Sequence, residues 1–100
     1  MRDKIIAENN LVAVDTLSFG DGYSWTEMEV FYSKELDRFF WVQDSGCSCN
    51  ALWDDIRSLA DLCDGSRQNA ANAVRTLAEA NRSEYYGDIA SAAGKVLGFK

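Results

Sequence analysis

"WTEMEVFYSKELDRFFWVQ", Trp25 to Gln43, is the stretch whose reading decides the fold of this 100-residue chain. Its first part alternates. Thr26, Met28, Val30 and Tyr32 fall on one face, and Trp25, Glu27, Glu29 and Phe31 on the other, which is the period of an extended strand with a half-solvated side. "KELD" (Lys34–Asp37) follows as a polar connection of hairpin length, with no Gly or Asn-Gly to fix its turn type. "RFFWVQ" (Arg38–Gln43) is apolar on both faces, Phe39 and Trp41 on one, Phe40 and Val42 on the other. That suits a strand covered on both sides or paired centrally. Strands joined by so short a loop pair antiparallel.

Working outward toward the start of the chain, "LVAVDTLSF" (Leu11–Phe19) is a third β-branched, apolar run, bounded by the turn residues "ENN" and "GDG". The three runs make an antiparallel meander. "FGDGYS" holds two Gly but lacks the Lys and following helix of a phosphate cradle, so it reads as a plain turn.

Toward the end of the chain the period becomes helical. Leu52, Ile56, Leu59 and Cys63 recur at helical spacing, flanked by Trp53 and Ala60. Ser48 or Asn50 can cap this helix, with Asp54 and Asp55 near its positive end. Gly65 suits a left-handed C-terminal position, and Ser66 starts the next helix. "SRQNAANAVRTLAEANRS" places Ala70, Val74 and Leu77 on one stripe. From Ser83, "SEYYGDIASAAGKVLGF" continues with Tyr85, Ile89, Ala92, Ala93 and Val96. Gly87 and Gly94 each weaken a helix by up to about 1 kcal/mol relative to Ala, and small residues of this kind let helices approach closely. The expected architecture is one α+β domain over residues 1–100: a strand region at 1–43, a loop at 44–50 and a helical region at 51–100. Two to three helices pack on one face of a three-stranded antiparallel meander.

The totals narrow the function. Hydrophobic residues make up 47% of the chain, with three Trp, four Tyr and five Phe, and charged residues 26%, a composition able to bury its own core. A net charge of −6 argues against binding nucleic acid, which needs clustered Lys and Arg. There is no His. That removes Ser-His-Asp and Cys-His catalysis, His-ligated metals and the usual general base near neutrality. The opening "MRDKIIAENNLVAV" lacks a signal-peptide core, and no stretch nears the roughly 18 apolar residues of a membrane span. The expectation is a cytoplasmic protein without a membrane partner, whose odd number of cysteines stays reduced.

The chemistry-bearing stretch is "DSGCSCNALWDDI", Asp44 to Ile56. As a metal site it would use Cys47, Cys49 and Cys63, with Asp44 or Asp64 as a fourth ligand. Structural zinc, however, wants two short-spaced pairs, and only one C-x-C is present. As a reactive thiol, Cys47 or Cys49 would draw on the helix N-terminus that follows, against the charge of Asp44, Asp54 and Asp55 and with no base nearby. As a strand-to-helix connection, Asp44 and Ser45 accept backbone N–H groups, Gly46 turns, Ser48 or Asn50 caps, and the small Cys side chains tuck inward. No cofactor is expected. A surplus of rings (Trp25, Phe31, Phe39, Phe40, Trp41 and Trp53) on a sheet covered from one side predicts an exposed aromatic face suited to a protein partner.

This stretch, preceded by "RFFWVQ", resembles a family of small uncharacterised proteins common in actinobacteriophage genomes. In those proteins a strand pair runs into D-S-G-C-S-C, an aromatic-acidic-acidic cluster (here Trp53, Asp54 and Asp55) and a helical tail. The resemblance covers about Val12 to Cys63. This chain has Asn50 and Leu52 where the family often has Pro. The resemblance implies a phage accessory protein in the host cytoplasm, of a kind that binds a host protein or counters a defence system.

The leading expectation is therefore a non-catalytic protein that binds a host protein. The binding residues would be Asp44, Ser45, Gly46, Cys47, Ser48 and Cys49 together with Trp25, Trp41 and Trp53. A metal- or small-ligand module on Cys47, Cys49 and Asp44 is the second reading, and a thiol enzyme the third. An unpaired edge strand and an Ala/Gly-rich helix surface are compatible with a homo-oligomer.

Overall fold

The chain runs α1 (Arg2–Glu8), β1 (Leu11–Gly20), β2 (Ser24–Ser33), β3 (Arg38–Cys47), β4 (Cys63–Gly65), α2 (Arg67–Ala80) and α3 (Gly94–Leu97), with single 3-10 turns at Leu59–Asp61 and Ile89–Ser91. This computed structural model describes residues 1–21 and 23–100. The strands form one antiparallel sheet in the order β1-β2-β3-β4. The expected meander is present and α+β is the class, but the sheet has a fourth strand. Gly22, part of the expected "GDG" turn, lies outside the described residues.

β2 and β3 pair along their whole length, from Ser33↔Arg38 to Ser24↔Cys47. The loop between them closes without Gly because Asp37 itself adopts a left-handed φ of 49°. The Tyr32 hydroxyl donates to Asp37 Oδ1 at 2.6 Å, and the Leu36 N–H donates to Ser33 Oγ at 3.2 Å. Asp is among the few residues that tolerate this backbone.

Both faces of β3 are buried, one of the two arrangements its apolar faces allowed. Phe39 and Trp41 join Met28, Val30 and Leu17 against Ala70, Ala71, Val74 and Ala78 of α2 and Val96 of α3. Phe40 and Val42 join Phe31 and Leu11 against Ile5 of α1 and Leu52, Ile56 and Leu62 of the segment before β4. Helices on one face only is thus corrected: α2 and α3 cover one side, and α1 with residues 51–62 covers the other. β1 serves both sides through a β-bulge between Ala13 and Asp15. The extra residue reverses the alternation, so Leu11 faces the α1 layer while Leu17 faces α2. A bulge shifts facing by one residue and leaves no mark on composition.

Three expected helical features differ. Residues 51–62 form turns rather than a helix. The Asp54 carboxylate accepts the Ala51 N–H at 2.9 Å, and Asp61 accepts those of Arg57 and Ser58 at 2.8 and 3.2 Å. Such local bonds compete directly with helical ones. The apolar positions at helical spacing still reach the core from these turns, except Cys63, which is exposed on β4. Gly65 is not a helix cap but pairs with Phe39 in β4. A Cβ there would lie 2.6 Å from Asn69 Oδ1, the atom that accepts the Ser66 N–H in the α2 capping box. The expected helix from Ser83 shrinks to a 3-10 turn and α3, broken at Gly87, whose φ is 135°.

α2 forms as expected from Ser66, whose Oγ accepts the Asn69 N–H at 3.1 Å. Its Ala70, Ala71 and Ala78 pack onto the chain's own sheet. A Cβ at Gly94 would meet nothing within 4 Å, so close packing does not account for that Gly. Arg67 ties the C-terminus down. Its Nη1 donates to Val96 O at 2.7 Å and Phe99 O at 2.6 Å, and the guanidinium lies 5.1 Å from the centre of the Phe39 ring.

Phe31 is 1% exposed and Val12 48% exposed. Phe31→Ala should therefore cost about 3–5 kcal/mol in urea unfolding, and Val12→Ala less than about 0.5 kcal/mol.

Candidate functional site

A groove of about 820 Å³ lies on the α1 side of the sheet. One wall is α1, with Lys4 and Glu8 at the rim and Ile5 facing in. The other is the segment Arg57–Leu62, and Arg38 and Phe40 of β3 lie beneath. Ile5, Phe40 and Leu62 are buried and Leu59 half-buried, so the floor is apolar. Lys4, Arg38 and Arg57 stand exposed around it. Arg38 Nε pairs with Asp64 at 2.9 Å, and Lys4 approaches Glu8 only to 3.9 Å. The Arg57 guanidinium donates to a backbone oxygen, Asp54 O, at 2.7 Å. The rim thus carries both signs, Lys4 and Arg38 beside Glu8 and Asp64, with Arg57 as the added cation over an apolar floor.

α1 is held in place by a polar cluster on the sheet. Arg2 Nη2 meets Glu29 Oε2 at 2.7 Å and Trp53 Nε1 donates to Glu29 Oε1 at 2.7 Å. The Arg2 guanidinium also lies 6.0 Å from the Trp53 ring centre. Burial of Glu29 acts to raise its pKa. The hydrogen bonds from Arg2 and Trp53, with the Arg2 charge, outweigh that and leave it below the ordinary 4.5. Glu29 is thus an ionised anchor that fixes one wall of the groove.

The second chemically distinct feature is the motif. β3 does not stop at Gln43 but continues through Asp44, Ser45, Gly46 and Cys47, paired with Ser24 to Glu27. A turn follows, in which the Asn50 N–H donates to Cys47 O at 3.2 Å and Asn50 Oδ1 accepts the Cys47 N–H at 3.0 Å. Trp25 Nε1 donates to Cys47 O at 2.7 Å. A Cβ at Gly46 would lie 2.4 Å from Asn50 Oδ1, so any side chain there would displace the returning Asn50 amide; no unusual φ is involved. Cys47 and Cys49 are both exposed. Hydrogen bonding from Cys49 holds the Cys47 thiol below its ordinary value.

These positions correct several expectations. The cysteines do not tuck inward. Asp44 and Cys47, at even and odd positions of one strand, belong to opposite faces, and the Asp44 carboxylate accepts the Ser45 N–H at 2.8 Å. Cys63 pairs with Trp41, six residues along β3 from Cys47 and so about 20 Å away. The set Cys47, Cys49, Cys63 and Asp44 is therefore not brought together. Among the described residues no three Cys, Asp or Glu side chains gather as metal ligands would. The aromatic face is not open either: Trp41 is in the core and Trp25 and Trp53 are half-buried. Asn50 serves the turn rather than a helix cap.

The groove residues Lys4, Arg38 and Arg57 were outside the sequence expectations. A trace of α1 exists in "DKII", with Asp3 in its first turn and Ile5 facing in. Nothing local marks Arg57, whose neighbours across the groove are distant in sequence.

Glu29→Gln should lower stability by about 1 kcal/mol at neutral pH. A carboxylate depressed in the folded state stabilises fully above its unfolded pKa, and this is lost as pH falls through the folded value. The gap between wild type and variant in urea unfolding should therefore close as pH drops below 4.5, the ordinary value.

No curated protein and no solved structure matches the chain. A family model does, over residues 4–97, which takes in α1, the whole sheet, the motif and α2. The chain therefore belongs to the family described as Domain of unknown function (DUF7574).

Proposed function

We propose that this protein acts by binding a segment of another protein in the groove between α1 and Arg57–Leu62, without chemistry on that partner. The observation that carries this reading is the groove itself, about 820 Å³ with an apolar floor and a rim on which Arg57 adds a cation to the Lys4–Glu8 and Arg38–Asp64 pairs. That size and lining suit an inserted side-chain cluster. The occupant is an acidic, apolar peptide segment. Its aliphatic or aromatic side chains would cover Ile5, Phe40 and Leu59, and its carboxylates would meet Arg57, Lys4 and Arg38. The rest of the surface is acidic and would repel such a segment, which directs it to this place. In the phage setting suggested by the D-S-G-C-S-C resemblance, the partner is a host protein met in the host cytoplasm, in a takeover or anti-defence role. This replaces the sheet's aromatic face as the binding surface, because that face is covered.

A photo-crosslinker placed at Leu36, 54% exposed at the groove's end, should capture one host segment. The matching synthetic peptide should bind wild type and lose at least about tenfold affinity to Arg57→Glu, with binding weakened by salt. Equal affinity for Arg57→Glu, or a crosslink made as well from Tyr23 on the far loop, would overturn the proposal.

A further inference from the structure

We propose that Cys47 and Cys49 form a dithiol site that exchanges with disulfides, Cys47 as the attacking thiol and Cys49 as the resolving one. This goes beyond the binding reading and does not depend on the groove.

A free Cys is usually a small buried hydrophobe, yet both of these are exposed and neither belongs to a core cluster. Packing therefore does not account for them. The backbone brings them together. They are the first and third residues of the turn closed by Asn50 N–H to Cys47 O and by Cys47 N–H to Asn50 Oδ1. Two trans peptide units span at most about 7 Å and less in a turn, within reach of the roughly 4.4–6.8 Å between the Cα atoms of a disulfide. The Trp25 indole holds Cys47 O from the neighbouring strand, so the attacking residue sits on a fixed strand end while Cys49 rides on the turn.

The two thiols are not equivalent. Cys47 ends the paired strand while Cys49 lies in the turn beyond it, and hydrogen bonding from Cys49 lowers the Cys47 thiol from its ordinary value with no charged residue contributing. Of the three carboxylates that flank the motif in sequence, two accept backbone N–H groups, Asp44 from Ser45 and Asp54 from Ala51. The Cys47 thiolate is the better nucleophile, and Cys49, two residues on in the same hydrogen-bonded turn, is the thiol placed to resolve it.

The step balances as follows. Cys47 thiolate attacks one sulfur of an external disulfide R–S–S–R. A Cys47–S–S–R bond forms as the original S–S bond breaks and RS⁻ leaves. Cys49, losing its proton to water, attacks Cys47 Sγ. The Cys47–Cys49 bond forms and the second RS⁻ leaves. The pair is oxidised by two electrons and the external disulfide is reduced to two thiols, which take up the two protons. So small a ring is strained, and the product should be readily reduced again.

The test uses the reduced full-length chain with oxidised glutathione at neutral pH, followed by intact mass and peptide mapping without reductant. Wild type should lose two hydrogen atoms, mapped to the peptide bearing Cys47 and Cys49. Cys49→Ser should instead accumulate one glutathionyl group on Cys47. Initial reaction at Cys47 should exceed that at the exposed Cys63 by at least about tenfold. Trp25 emission should shift on oxidation of wild type but not of Cys47→Ser. Wild type bearing only separate glutathionyl groups, or Cys47 reacting no faster than Cys63, would overturn the proposal. Since Cys63 reports within the same folded chain, misfolding of a variant cannot produce either result.

Discussion

The structure depends on β3 having large apolar side chains on both faces. Phe39 and Trp41 point one way and Phe40 and Val42 the other, all 9% exposed or less. Leaving either pair in water would cost roughly 1.5–3 kcal/mol per side chain, so the strand must be central and the sheet covered twice. Pairing with β2 along its length and with β4 for three residues satisfies the first demand. α2 and α3 on one side, and α1 with residues 51–62 on the other, satisfy the second.

The two coverings are unequal, and this creates the groove. α2 is 14 residues long and spans about 21 Å, enough to roof its face as one piece. The opposite face is roofed by the seven-residue α1 and by irregular backbone whose N–H groups are satisfied by Asp54 and Asp61. These two pieces leave a cleft over Phe40. The Arg2–Glu29–Trp53 cluster fixes the α1 wall, and the Asp61 carboxylate, by tightening the Arg57–Asp61 turn, shapes the other.

The same central strand governs the motif. Because β2 runs back to Ser24, β3 can stay paired through Cys47, and the C-x-C begins at a strand end rather than in a free loop. Asn50 then folds back over Gly46, which turns the two cysteines outward on a short, hydrogen-bonded turn. Exposure and asymmetry of the two thiols both follow from that placement.

Period-two patterning in Trp25–Gln43 was enough, by itself, to determine the β2–β3 hairpin and its facing, because alternation is a local property of extended backbone. Ser66 likewise marked the start of α2, since a cap is made within one turn of chain. The Leu52–Cys63 spacing looked helical because any buried segment repeats its apolar residues. Only tertiary structure decided between helix and turns, through Asp54 and Asp61 bonding backbone and Cys63–Gly65 joining the sheet edge. The bulge in β1, the second layer and the groove rim of Lys4, Arg38 and Arg57 rest on contacts between residues far apart in sequence, which no local pattern encodes. For the motif, the sequence supplied two thiols in a turn. The fold decided that they face solvent, lie about 20 Å from Cys63, and share one hydrogen-bonded turn, because β3 had to remain paired to its end.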